Sequence, residues 1–227
     1  SMILGQEIPN FSAETDRGKI ASFHDWMAGS WTIIFSHPAD FTPVCTTELA
    51  RAAQLAPEFR KRGVKLIGLS CDSPSCHRVW IEDIVAFSSR SSSSSLHKDN
   101  FPFPLIADES RELSKQLGMI DPEEMDSKGI PLSARALLVI GPDRKLKLQI
   151  LYPATTGRNF DEVLRVVDSL LLTAKHKVAT PVDWKVGESC MVQPTVGGQE
   201  AVDLFVHIDK VELPSKKEYL RMTPMPH

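Results

Sequence analysis

Several things are scarce or missing in this 227-residue chain, and each absence removes a class of function. No apolar run approaches the ~20 residues that a membrane-spanning helix needs, and the N-terminus lacks the charged and apolar regions of a signal peptide. A soluble, cytoplasmic protein without stable membrane insertion is therefore expected. No C-x-x-C pair occurs among Cys45, Cys71, Cys76 and Cys190, which disfavours a dithiol oxidoreductase, and four scattered thiols suit a reducing compartment. Neither sign of charge dominates. The formal net charge is −3 with both signs interspersed, which leaves no footprint for nucleic acid or an anionic surface and favours small neutral substrates. No internal repeat is found, and Ser1 ahead of Met2 reads as an expression remnant.

What is present is enough to build a core. With 42% hydrophobic residues the chain can form one large or two unequal domains without disulfide staples. Trp31 to Ser36 reads as a buried strand, Cys45 to Arg62 as a helix stopped by Gly63, and Val64 to Ser70 as a second strand. Asp72-Ser73-Pro74 starts a helix over Cys76 to Phe87. Pro104 to Ala107 follows as a weaker strand, and Ser110 to Leu117 as a short helix before Gly118. Ala136 to Ile140 and Leu146 to Tyr152 flank the turn Gly141-Pro142-Asp143-Arg144, a hairpin signal. Asn159 and Glu162 make a capping-box-like start for a helix through Lys175.

This βα alternation with a late hairpin predicts an α/β fold of thioredoxin-like type, a central mixed sheet with helices on both faces, over residues 2–175. Residues 176–227, richer in proline and with a strand-like Leu204 to Ile208, predict a small appended domain. Ser88 to Ser95, serine except for Arg90, reads as a flexible surface loop in which nothing can pack.

The segment that carries chemistry is Pro38-Ala39-Asp40-Phe41-Thr42-Pro43-Val44-Cys45-Thr46-Thr47-Glu48. Thr42 reads as a helix N-cap, Pro43 as the first helical residue, and Cys45 as the third. Hydroxyl and sulfur then lie side by side among unpaired N–H groups that favour negative charge. Attack on a peroxide requires a thiolate, and a helix N-terminus supplies only about 0.3 to 1 kcal/mol towards one. A fixed cation is needed as well. Arg135, opening the apolar run Ala136-Leu137-Leu138-Val139-Ile140, is the candidate, an exposed edge-strand arginine being the alternative.

Pro38, Thr42 and Cys45 match the Pro-x-x-x-Thr-x-x-Cys signature of the peroxiredoxins, which this chain resembles over nearly its whole length. Phe35-Ser36-His37-Pro38, the stretch Tyr152 to Asn159, and Thr180-Pro181-Val182-Asp183-Trp184 are similar to the one-cysteine subgroup in particular. The resemblance implies that Cys45 is the peroxidatic nucleophile, that Thr42 and Arg135 bind and polarise the peroxide, and that Pro38 shields the sulfur. It also implies that His37 sits beside the sulfur and that Glu48 and Arg158 hold Arg135. By residue type alone His37 is an ordinary histidine at a strand end. The implied partners are a peroxide, an external thiol such as glutathione or a thioredoxin-like protein, and a second copy in a homodimer held partly by the C-terminal extension. No metal or cofactor is expected.

Cys71 reads as a small buried apolar residue, and Cys76, near a helix start, is expected to be at most mildly acidic by the same dipole and lacks the rest of the constellation. Cys190 lacks the Val-Cys-Pro context of a resolving cysteine. Some members of the resembled subgroup are credited with phospholipase activity, and Ser30, His24 and Asp143 occupy the matching positions. Yet Ala28-Gly29-Ser30-Trp31-Thr32 lacks both flanking glycines of a Gly-x-Ser-x-Gly elbow. A peroxide-sensing or chaperone-like module that uses the same oxidised sulfur is the third reading.

Overall fold

A computed structural model describes residues 1–91 and 95–227. In chain order the elements are β1 (Ala13–Thr15), β2 (Gly18–Ile20), α1 (Phe23–Met27), β3 (Trp31–Ser36), α2 (Pro43–Lys61), β4 (Val64–Ser70) and α3 (Pro74–Ser88). Then come β5 (Leu105–Ala107), α4 (Glu112–Gln116), β6 (Ile120–Met125), β7 (Pro131–Ser133), β8 (Arg135–Ile140), β9 (Leu146–Tyr152) and α5 (Phe160–Lys175). The chain ends with β10 (Val178–Ala179), β11 (Cys190–Val192), α6 (Gly198–Leu204), β12 (Asp209–Lys210) and β13 (Arg221–Thr223).

Seven strands form the main sheet in the order β2-β1-β5-β4-β3-β8-β9. β3 pairs in parallel with β4, and β4 with β5, while β8 lies antiparallel to both β3 and β9. This is the mixed sheet of a thioredoxin-like α/β fold. The two-residue period of β3 divides its side chains between faces. Ile34 joins a core with Ile67, Leu69 and Leu138 that also takes in Phe23 and Met27 of α1 and Leu113 of α4. Phe35, directed oppositely, meets Phe103 edge-on at 5.3 Å and Phe160 at 5.8 Å.

The chain divides into Ser1–Phe160 and Asp161–His227, not at residue 175. Nearly all of α5 goes with the second unit because its contacts are there. Leu172 packs on the core of Val178, Trp184, Cys190 and Val192, the hydroxyls of Ser169 and Thr180 lie 2.6 Å apart, and Arg165 donates to the Trp184 carbonyl at 3.2 Å. That unit carries a four-stranded sheet ordered β10-β11-β13-β12. Leu204 to Ile208 is not a strand: Leu204 closes α6, and Phe205 turns its ring into the core of this unit.

Ser88 also departs from expectation. It is the last residue of α3, fully buried, and Gln54 donates to its hydroxyl at 3.2 Å and to its carbonyl at 3.3 Å. The rest of the expected loop falls partly on residues 92–94, outside the described residues. Among the described residues no helix is long and apolar enough to cross a membrane.

Candidate active site

The site is assembled where the carboxyl end of β3 runs into α2. Phe41 adopts φ +56, a left-handed turn rare for a bulky residue, and reverses the chain so that Thr42 enters extended at φ −121. Thr42 is the N-cap by backbone geometry, its carbonyl accepting from Thr46 N–H at 3.1 Å. Its side chain does not cap. The hydroxyl donates instead to the Ala39 carbonyl at 2.6 Å, so its lone pairs stay available and the first amides of α2 receive no side-chain cap. Cys45 is third in the helix and fully buried.

Arg135 is no edge-strand arginine. β8 lies between β3 and β9, and Arg135 at its start is 3% exposed. Its Nη1 lies 3.3 Å from Cys45 Sγ and 2.7 Å from Glu48 Oε1, while Nε and Nη2 both donate to the Ala154 carbonyl at 2.9 and 2.6 Å. Glu48, one turn beyond Cys45 on α2, also accepts from Arg158: backbone N–H and Nε to Oε2 at 2.7 Å each, Nη2 to Oε1 at 2.9 Å. Burial alone would push the Glu48 carboxyl up. Its bonds and charge pairing with Arg158, with Arg135 behind, outweigh that and hold it below the ordinary carboxylate range. Arg158 is fixed in turn by the Ala136 carbonyl at 2.7 Å. Glu48 therefore holds Arg135 directly, and Arg158 acts through Glu48.

His37 and Pro38 are both buried. His37 belongs to a cluster of its own: Nε2 lies 2.7 Å from Asp40 Oδ1, and Nδ1 has no hydrogen-bond partner. Asp40 Oδ2 lies 2.6 Å from His77 Nδ1, and His77 Nε2 lies 3.0 Å from the Ile106 carbonyl. A carbonyl only accepts, so His77 Nε2 carries hydrogen. Desolvation lowers His77, but the hydrogen bond and charge of Asp40 more than reverse this and raise it above 6.5. The Asp40 amide donates to Asp72 Oδ2 at 2.9 Å, anchoring the loop before Cys45 to the end of β4. Trp80, 4.9 Å from the His37 ring, donates its indole N–H to Thr46 at 3.2 Å and so links this cluster to the first turn of α2.

Donor atoms of His37, Asp40 and Asp72 come within 4.8 Å of one another, a spacing a metal could use. Those oxygens are already engaged, Asp72 Oδ2 accepting from both Ser70 at 2.6 Å and the Asp40 amide.

The other three thiols sit in different environments. Cys76 is not made acidic by its helix start: burial, with Asp40 and Asp72 adding negative charge, pushes it up to about 12. Burial likewise raises Cys71 and Cys190. The hydrolase-like set is not joined by hydrogen bonds among the described residues: His24 Nε2 faces the Ile8 carbonyl at 2.7 Å, and Asp143 takes Lys147 Nζ at 2.6 Å and the Lys145 amide at 3.1 Å.

Residue types could not disclose two groups. The Ala154 carbonyl is backbone with an alanine side chain, and the tie from Asp40 to His77 spans 37 residues with no local signature. An acidic residue inside the motif segment was the only hint of the latter.

Residues 4–149 match the AhpC/TSA family, and residues 169–205 match the C-terminal domain of 1-Cys peroxiredoxin. A 1-Cys peroxiredoxin of Dirofilaria immitis is 58% identical over 230 residues, 99% of this chain and 98% of that protein. The crystal structure of the C45S mutant of the Peroxiredoxin 6 of Arenicola marina superposes with a TM-score of 0.94 at 54% identity, covering 100% of this chain and 99% of the other. A structure of yeast mitochondrial 1-Cys peroxiredoxin, described by its thiol resolving mechanism via glutathione/thioredoxin systems, gives a TM-score of 0.84 at 39% identity, covering 99% and 100%.

Proposed function

This chain belongs to the one-cysteine peroxiredoxins of the AhpC/TSA family and is a thiol-dependent peroxidase; from that premise we propose that Cys45 is its nucleophile. The observation that carries this is the Arg135 guanidinium 3.3 Å from a sulfur at an uncapped helix start. The sulfur attacks one peroxide oxygen, an S–O bond forms and the O–O bond breaks. The departing oxygen takes a proton and leaves as water or an alcohol, its developing charge met by Arg135 and the first amides of α2. Thr42, with its own proton committed to Ala39, accepts a hydrogen bond from the peroxide and orients it. Pro38 shields the sulfur, and Glu48 and Arg158 keep Arg135 in place.

Cys45 is left as a sulfenic acid. An external thiol then forms a mixed disulfide with release of water, and a second thiol frees Cys45. The yeast relative's glutathione/thioredoxin resolution supports a reductant of that class here. Substrates are hydrogen peroxide and organic hydroperoxides, including those of phospholipids, in a reducing cytoplasm, and the working form is a homodimer.

Cys45→Ser is expected to abolish peroxide reduction, whereas Cys71→Ser, Cys76→Ser and Cys190→Ser each keep most of it, measured as thiol-dependent peroxide consumption. A comparable loss in any of these three overturns the assignment. The phospholipase reading is not favoured, because the His24 ring and the Asp143 carboxylate are engaged elsewhere. Hydrolysis that vanishes in Ser30→Ala and persists in Cys45→Ser would restore it.

A further inference from the structure

At the far end of α2, fifteen residues and about 22 Å from Cys45, a cleft of about 270 Å³ is lined by Trp26, Arg60, Val64, Lys65, Pro102 and Pro104 among others. Three rings stack towards it: Phe11 on Phe23 at 4.5 Å and 12°, then Phe23 on Trp26 at 5.8 Å and 18°. Lys65 Nζ stands 4.5 Å from the Trp26 ring centroid and donates to the Trp26 carbonyl. Arg60 is the other charged residue of the lining. Among the described residues neither cation has a carboxylate partner, although the chain as a whole is net negative.

We propose that this cleft binds a small carboxylate with a flat apolar body, its ring between Trp26 and the two prolines and its carboxylate between Lys65 and Arg60. The aromatic and proline walls supply apolar contact, and two cations with no carboxylate in the lining set the sign of the charge. Burial lowers the Lys65 ammonium from its usual range, so an anion beside it restores what desolvation removes. A neutral ligand of the same shape gains nothing from either cation. The site shares no residue with the peroxide chemistry.

The test uses the full chain and 2-naphthoate as probe, followed by calorimetry and by NMR of the Trp26 indole N–H. Expected are saturable one-to-one binding with a shift of that resonance, and at least tenfold weaker binding of uncharged 2-naphthylmethanol. Lys65→Met and Arg60→Ala are each expected to weaken 2-naphthoate at least tenfold, Lys65→Arg to stay within about threefold of the parent, and all three to reduce peroxide at the parent rate. Absence of saturable binding, equal affinity for the alcohol, or unchanged affinity in both charge-removing variants overturns the proposal.

Discussion

A guanidinium can serve a buried sulfur only if it is prevented from turning away, and Arg135 has every nitrogen of its fork committed to Cys45, Glu48 or Ala154. Arg135→Ala is expected to slow both peroxide reduction and alkylation of Cys45 at pH 7 by about 100-fold, the loss typical of one preorganised charge donor. Lysine rescues only in part, since a single ammonium cannot span sulfur, carboxylate and carbonyl together. Stopped-flow reduction and timed iodoacetamide labelling measure the two rates, and unchanged labelling would give the role to another group. Thr42→Val should lower kcat/KM at least tenfold while Thr42→Ser retains it, because the role assigned to Thr42 needs its oxygen and not its methyl. That Thr42 and Cys45 share the first turn of α2 was legible from Thr42 and Pro43 at the helix start, whereas residue type left Arg135 open between this site and an exposed strand edge until the family resemblance chose. The hydroxyl's partner was not legible: capping and donation to Ala39 are equally open to a threonine before a proline, and the left-handed Phe41 decides between them.

Among the elements, long strands with both faces buried were readable to the residue, as Trp31–Ser36 and Val64–Ser70 show, because nothing but a sheet interior suits such runs. β1, β2 and β10 were not. At two or three residues each, their pairing is chosen by neighbours far away in sequence rather than by local pattern. The same reasoning explains why the tie from Asp40 on the loop before α2 to His77 on α3 stayed hidden, and that tie has a measurable pH dependence. His77 is raised by its pairing with Asp40, so its contribution to stability is complete below about pH 6.5 and is lost as pH rises through its folded value. Asp40 is depressed despite its burial, by hydrogen bonds and charge from His37 and His77, so its share is lost only on acidification below its ordinary range. In Asp40→Asn the amide can still accept from His37 and donate to a neutral His77. The stability advantage of the parent over Asp40→Asn, from urea unfolding, is therefore expected to shrink between pH 6 and 9. An advantage that grows with pH would contradict the paired state.

Across the whole molecule, Cys190 is packed within the core of the second unit beside Trp184 and Val192, a poor place from which to capture an oxidised sulfur. Equimolar peroxide should therefore give a dimedone-reactive Cys45 and monomer-sized chains on non-reducing gels, and excess peroxide a sulfinic acid. A stoichiometric dimer linked from Cys45 to Cys190 would refute the one-cysteine mechanism and leave the peroxidase intact. The place where the chain divides was misread by fifteen residues, because the amphipathic pattern of α5 says that one face is buried but not which core receives it. One consequence of the site reaches the entire fold. Arg135 and Arg158 pair with Glu48 and with no other carboxylate among the described residues, so the thiolate that the proposed mechanism requires at Cys45 would balance the second buried positive charge. Conversion to an uncharged sulfenic acid would withdraw that counter-charge. Each catalytic cycle thus takes the protein through an electrostatically unbalanced form, which should melt several degrees below the reduced one and regain its Tm when a thiol restores the sulfur.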